Sequence, residues 1–275
     1  MIIQLTDNNL HLNFRPLALT RPICELRFGI STLKETWVNF LIIAEKSVTT
    51  YYETEDYLSE KYASTQNFDF KIAGHVKPNQ NIIDHVLALK NNESLYCNGK
   101  WIATKGHRED SKIDIIDDTV LYLTHIWELF QLNDKALQID FDLLTKNKIS
   151  QPISDTNRLL NPENIFIEKG AKVEFAILNA STGPIYIGKD AEVMEGAIIR
   201  GGFALLDHAT VKMGAKIYGA TTIGPHCKVG GEISNCILQA YSNKGHDGFI
   251  GNSVIGEWCN LGADTNSSNL KNNYG

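Results

Sequence analysis

Lys244, and the pair His246 and Asp247 bracketed by Gly245 and Gly248 in the run LQAYSNKGHDGFIGNSVIG, are the residues of this chain best suited to chemistry. An imidazole can take a proton from an amine or hydroxyl, and a nearby lysine can hold a phosphate or an oxyanion. That pairing suits acyl transfer. A glycine-bracketed Lys-Gly-His-Asp also reads as a solvated loop tip, and residue types alone leave both readings open. Asn260, Asn266, Asn269, Asn272 and Asn273 follow soon after, a density of amides suited either to reading sugar hydroxyls or to stacking in tight turns. His208 and His226 stand 18 positions apart, which would put them on neighbouring strands about 4.8 Å apart. With His246 as a third ligand they offer a zinc-dependent hydratase or hydrolase as an alternative from another class.

The elements that must position these residues are legible in a period of six. Ile187, Val193, Ile199, Leu205, Val211, Ile217, Ile223 and Val229 form an unbroken series. Four places after an aliphatic the residue is small, as at Ala191, Ala197, Ala209, Ala215, Thr221 and Cys227, with Phe203 the exception. Glycine directly follows at Gly188, Gly224 and Gly230, and the pattern resumes at Ile255-Gly256 and Leu261-Gly262, with Cys259 and Thr265 four residues on. Three such repeats to a coil make a parallel β-helix, each flat side turning one aliphatic inward and each small residue allowing a corner. The Lys-Gly-His-Asp run falls where this register slips, between Ile237 and Ile255, and insertions in a solenoid emerge as loops that tend to carry function. The repeat starts imperfectly at Ile167 and Val173 and is interrupted around Asn179 to Pro184. It stops mid-pattern at Gly275, so a further C-terminal portion is expected to cap it.

Upstream the period is absent. Gly29 to Val38 reads as a helix with Ser31 as its N-cap and Glu35 near its first turn, and Phe40 to Ala44 (FLIIA) as a buried strand. Glu55 to Ala63 and His125 to Leu144 read as helical, and Leu95-Tyr96 and Trp101 to Ala103 as short strands around an Asn98-Gly99 turn. The alternation implies an α/β layer domain over 1–150. The polar stretch from Lys148 to Asn164, with Pro152 and Pro162, reads as a linker, set at 151–164, ahead of a coil domain over 165–275. With 275 residues and 43% hydrophobic content the chain can bury a sizeable core, and a net charge of −6 argues against nucleic acid as a partner. No apolar run approaches a membrane span and the N-terminus MIIQLTDNNL has neither a basic start nor a cleavage site, so a cytoplasmic protein without a membrane partner is expected. The five cysteines form no CxxC pair and read as reduced thiols, Cys227 and Cys259 at the small corner position.

From Tyr241 to Gly275 the sequence YSNKGHDGFIGNSVIGEWCNLGADTNSSNLKNNYG resembles the catalytic segment of bifunctional UDP-N-acetylglucosamine diphosphorylase/glucosamine-1-phosphate N-acetyltransferases, in particular the Bacteroidetes-type variant. The resemblance spans the chain and implies a reduced nucleotidyltransferase-like α/β domain followed by a left-handed parallel β-helix of hexapeptide repeats. By position His246 resembles the general base that deprotonates the glucosamine amine, and Lys244 a phosphate contact. Asn260 matches a sugar contact, and Phe249 stands in place of a tyrosine, without its hydroxyl. Asp264 replaces a glycine and Asn269-Leu270 an Asn-Tyr pair; Asn269 and Lys271 complete the implied substrate contacts. Acetyl-CoA would be the co-substrate, bound between subunits of a homotrimer, with a sugar phosphate as acceptor.

The run FRPLALTRPICELRFG, from Phe14 to Gly29, is similar to the triphosphate loop of sugar-phosphate nucleotidyltransferases, with Arg15, Thr20, Arg21 and Arg27 as possible donors to UTP and Mg as the ion if this half is active. It departs from that pattern: no glycine-rich turn precedes Arg15, Ile23-Cys24 stands where a lysine would follow proline, and no Gly-Asp metal ligand follows. The same arginines read equally as surface salt-bridge partners. The departures support a further alternative, a non-catalytic trimeric scaffold that binds a nucleotide sugar.

Overall fold

The computed structural model describes residues 1–44 and 47–267. It comprises two compact units, one of residues 1–26 and 31–126, the other of residues 27–30 and 127–275.

In the first unit, β1 (Ile2–Thr6) alternates Ile3 and Leu5, buried among apolar side chains, with Gln4 and Thr6 on the opposite face. It is followed by α1 (Leu33–Ala44), β2 (Thr49–Glu53), β3 (Phe70–Ala73), β4 (Val76–Lys77), α2 (Gln80–Ala88), β5 (Glu93–Cys97), β6 (Lys100–Lys105), β7 (Ser111–Ile115) and β8 (Leu121–Tyr122). The main sheet has the order β2-β1-β3-β6-β5-β7; β1 runs parallel to β2 and β3, and β6 antiparallel to β3 and β5. The β5–β6 hairpin turns at Asn98 and Gly99, as expected, both at positive φ (51° and 74°).

Four local expectations are corrected. FLIIA is no strand but the end of α1, whose buried residues Leu33, Thr36, Trp37, Phe40 and Leu41 follow the helical stripe while Ile43 is 66% exposed. Its N-cap is Thr32, not Ser31: the Thr32 hydroxyl accepts from the Glu35 N–H at 3.1 Å, and the Glu35 carboxylate accepts from the Thr32 N–H at 2.7 Å. Thr32→Ala is therefore expected to lower stability by about 1 kcal/mol, read as a lower urea midpoint at unchanged slope. Between Glu55 and Ala63 only the 3-10 turn Asp56–Leu58 forms, since Leu58 and Tyr62 alone are buried there. The helical reading of His125 to Leu144 becomes two helices, α3 (Glu128–Gln131) and α4 (Asn133–Thr145), separated at Leu132.

In the second unit, three ladders of short parallel strands curl around one core, consistent with a β-helix. One contains Ile165–Ile167, Ile185–Ile187, Phe203–Leu205 and Thr221–Ile223; a second Ile177–Asn179, Ile198–Arg200 and Lys216–Tyr218; a third Lys172–Val173, Glu192–Val193, Thr210–Val211, Lys228–Val229 and Asn243–Lys244. Every aliphatic of the six-residue series and every small residue four places on, Ala191 to Cys227, is buried inside the coil. Ile187 pairs with Leu205 and Leu205 with Ile223, 18 positions each, whereas the interruption at 179–184 lengthens the step from Ile167 to Ile187 to 20. The stretch expected to be a linker belongs to the coil instead. Arg158–Leu160 pairs with Ile177–Asn179, and the amides of Gln151 and Asn157 bond the carbonyls of Ala171 and Val173. Its polarity closes the end of the ladder rather than freeing a tether. α4 packs against Thr221–Ile223, and Gly29 threads between them at φ +85°, where an added Cβ would lie 2.5 Å from Asp140 Oδ2.

Among the described residues no helix is long and apolar enough to cross a membrane.

Candidate functional site

The His246 loop grows out of a change in coil length. Val229 pairs with Lys244, 15 positions on instead of 18, so the lysine occupies the inward slot that valine fills in Val193, Val211 and Val229. Lys244 is accordingly 1% exposed. Its ammonium donates to the carbonyl oxygens of His246, at 2.5 Å, and Asp247, at 2.9 Å. Burial pushes its pKa below the ordinary lysine value, and Asp247 and Asp264 pull it part of the way back. Lys244 thus pins the loop from beneath, with its charge turned to two carbonyls rather than open to a phosphate.

Gly231, at φ +73°, lets the loop lie close on the preceding coil: a Cβ there would stand 2.7 Å from the Gly248 oxygen and 3.0 Å from the His246 oxygen. On the far side the Asp264 N–H donates to the Asp247 oxygen at 3.1 Å. The side chains of His246 and Asp247 are exposed on this frame. Phe249, half-buried, opens the strand Phe249–Ile255 and donates its N–H to Asn266 Oδ1 at 2.7 Å. Asn260 is exposed and accepts from Asn243 Nδ2 at 2.8 Å, stacked one coil beyond the start of the loop. Asn269 and Lys271 lie outside the described residues. The arrangement presents a solvent-facing imidazole on a backbone held by a buried charge, suited to taking a proton from a bound nucleophile.

His208 and His226 do not converge on a metal. Both occupy corner positions at φ 58° and stack ring on ring at 4.9 Å, and the column continues through Tyr241 (4.9 Å) to Trp258 (4.6 Å). The nitrogen lone pairs of parallel stacked rings point side by side, not toward a common centre. Among the described residues no three His, Cys, Asp or Glu side chains come together as a metal site, which removes the geometry that the zinc alternative needs.

In the first unit the chain leaves β1 at Thr6 and passes through Asp7 into three 3-10 turns, His11–Phe14, Leu17–Thr20 and Ile23–Glu25. Asn8 and Asn9 adopt φ of 48° and 61°, the left-handed conformation that glycines would otherwise supply after such a strand. A search for glycine misses them. So does it miss Asp7, buried at the root of the loop: its carboxylate accepts from the Ile23 N–H at 2.8 Å and from Thr54, and meets His11 Nδ1 at 2.8 Å. The signal was present as Asp7 and His11 four residues apart, and the link continues from His11 Nε2 to Tyr57 at 3.1 Å. Arg15 and Thr20 are exposed on this loop and Arg21 is half-buried. Arg27 belongs to the second unit, where its guanidinium donates to the Ile30 oxygen at 2.5 Å and its backbone N–H to Gln239 Oε1 at 2.7 Å. Arg15, Thr20 and Arg21 thus share the loop after β1, whereas Arg27 falls in the coil unit. Magnesium draws most of its ligands from water and substrate phosphates. Both oxygens of Asp7 are committed to Ile23, His11 and Thr54, so these residues make no cage for the ion.

Three relatives named "Bifunctional protein GlmU" are similar to this chain. That of Alkaliphilus metalliredigens is 29% identical over 38% of this chain and 27% of its own length. That of Rippkaea orientalis is 22% identical over 58% and 42%, and that of Cyanothece 22% identical over 52% and 36%. The chain thus matches between about a quarter and two fifths of the length of these relatives. Residues 3–149, which begin in β1, carry the Asp7–Arg21 loop and run past the end of α4, match the sugar nucleotidyl transferase family, and the chain belongs to that family.

Proposed function

We propose that this protein acetylates glucosamine 1-phosphate from acetyl-CoA at the His246 loop and joins the product to UTP in the N-terminal unit, yielding UDP-N-acetylglucosamine. The family membership and the likeness to relatives called bifunctional support transferase chemistry at two sites. The observation that carries the acetyl half is the exposed His246 on a loop pinned by buried Lys244. In this reading an imidazole nitrogen of His246 takes the proton as the glucosamine nitrogen attacks the thioester carbonyl. The C–N bond forms, the C–S bond breaks, and the departing thiolate takes up a proton as coenzyme A. Asn260 and the neighbouring amides read the sugar, and Phe249 contributes an apolar wall without a hydroxyl. The coil is left-handed and assembles as a cytoplasmic homotrimer, with acetyl-CoA between subunits. In the nucleotidyl half, Arg15, Thr20 and Arg21 meet the triphosphate beside the Asn8-Asn9 turn.

Two assays on the purified protein test the two halves separately. Thiol release should require acetyl-CoA and glucosamine 1-phosphate together. Pyrophosphate release should require UTP and N-acetylglucosamine 1-phosphate. Thiol release without pyrophosphate would leave the N-terminal unit a nucleotide-sugar scaffold; neither product would overturn the proposal.

A further inference from the structure

The N-terminal sheet ends on β2 at one side and on β7 at the other. The β2 edge is covered by its own chain, where the Tyr52 N–H donates to the Ala63 oxygen at 3.0 Å. The β7 edge is open. Among the described residues β5 is the one strand beside it, and Ser111, Lys112, Ile113 and Asp114 are all exposed. A bare edge is a template for another strand, so a protein that keeps one either pairs it or defends it.

Backbone geometry fixes what this edge offers. The Ile115 oxygen accepts from the Asn98 N–H at 2.8 Å, and Leu95 and Cys97 of β5 stand opposite Ile113 and Ile115. Amide groups alternate in direction along a strand, so Ser111, Ile113 and Ile115 turn theirs to β5. Those of Lys112 and Asp114 point away from the sheet.

The side chains select the partner. When β7 is laid antiparallel to a second β7 about a twofold axis at Ile113, Lys112 of each copy falls opposite Asp114 of the other. These are the residues whose amides point outward, so each Lys-Asp pair would also exchange both of its backbone bonds. The charges meet on one face, where Lys112 Nζ stands 3.9 Å from the centre of the Tyr96 ring and Asp114 Oδ1 accepts from the Gly99 N–H at 3.2 Å. On the other face the two Ile113 side chains, each 38% exposed, meet at the axis. An axis at Lys112 or at Asp114 would set like charges directly opposite, which disfavours those registers. The edge is therefore complementary to itself, as a twofold interface requires.

We infer that β7 joins a second copy of this chain, strand against antiparallel strand about a twofold axis at Ile113. The contact is separate from any threefold assembly of the coil, and it stands whether or not either transfer reaction is confirmed.

Sedimentation velocity of the reduced full chain over a range of concentrations tests it without reference to activity. Two chains should associate, or two trimers if the coil also assembles in threes. Lys112→Asp sets carboxylates opposite each other and should weaken the association by about tenfold or more. Adding Asp114→Lys to that variant restores opposite charges in the same register and should recover it. Thermal melts establish that both variants fold. A second readout fixes the register: residues facing each other at the axis have Cα atoms about 4.5 Å apart, within disulfide reach, so Ile113→Cys should cross-link two chains on oxidation and Lys112→Cys should not. Sedimentation as one or three chains only, a single reversal without effect, a double variant that stays dissociated, or equal cross-linking at both positions would each overturn the inference.

Discussion

His246→Ala is expected to reduce the proposed acetyl transfer by about 10²- to 10⁴-fold, the usual contribution of a positioned general base. The loss should fall on kcat, because the imidazole acts as the amine loses its proton and adds little to holding the sugar beforehand. The protein should fold as before. His246 is exposed, and the loop's anchoring bonds run to its backbone oxygen, which alanine retains. Pyrophosphate release, which the reading assigns to the other unit, should be untouched. Initial rates of thiol release over a range of glucosamine 1-phosphate concentrations, beside a thermal melt, separate these outcomes. A variant that melts normally yet keeps more than about a tenth of the wild-type kcat would remove His246 as the base.

How far the sequence reached depended on where its period held. From Ile187 to Val229 the coil repeats in steps of 18, so inward aliphatics and small corner residues could be placed one by one, and all of them are buried. One coil later the step shortens to 15, and the same counting no longer says which side chain points inward. Lys244 read as a loop residue for that reason, and it proves to fill a valine slot. The stacked column shows the same limit. His208 and His226 lie one regular coil apart and count as neighbours, but Tyr241 and Trp258 continue the stack at spacings of 15 and 17, outside the period. Without them two lone histidines look like ligands; with them they are rungs. In the first unit composition misleads where periodicity does not. FLIIA is apolar enough for a strand, yet Trp37, Phe40 and Leu41 continue a helical stripe begun at Leu33. Asn8 and Asn9 escaped because asparagine reaches the left-handed region through its side-chain amide, with no glycine to mark the turn.

Lys244→Met should lower the proposed acetyl transfer by about 10²-fold while leaving the coil folded, a combination that separates a positioning residue from both a substrate contact and a structural one. Methionine suits an inward slot next to Val229, and replacing a buried charge by a flexible apolar chain of similar length is often neutral or stabilising. What it cannot do is donate to the carbonyls of His246 and Asp247, so the loop loses its anchor from below. A displacement of about 1 Å in a catalytic group can cost about 10²-fold in rate. The KM for glucosamine 1-phosphate distinguishes the roles: a lysine that held the phosphate would raise it when removed, whereas an anchor lowers kcat and leaves it nearly unchanged. Stability adds an independent sign. Because burial sets the folded pKa of Lys244 below its unfolded value, the unfolded chain binds more protons between those two values, and stability rises with pH across that window. Below it the ammonium is charged in both states and its desolvation weighs against folding at full strength. In Lys244→Met that alkaline gain disappears, so melts recorded from neutral pH upward should diverge from wild type only as the window is entered. Parallel melting profiles, or a raised KM with kcat intact, would return Lys244 to the phosphate contact that sequence position alone suggested.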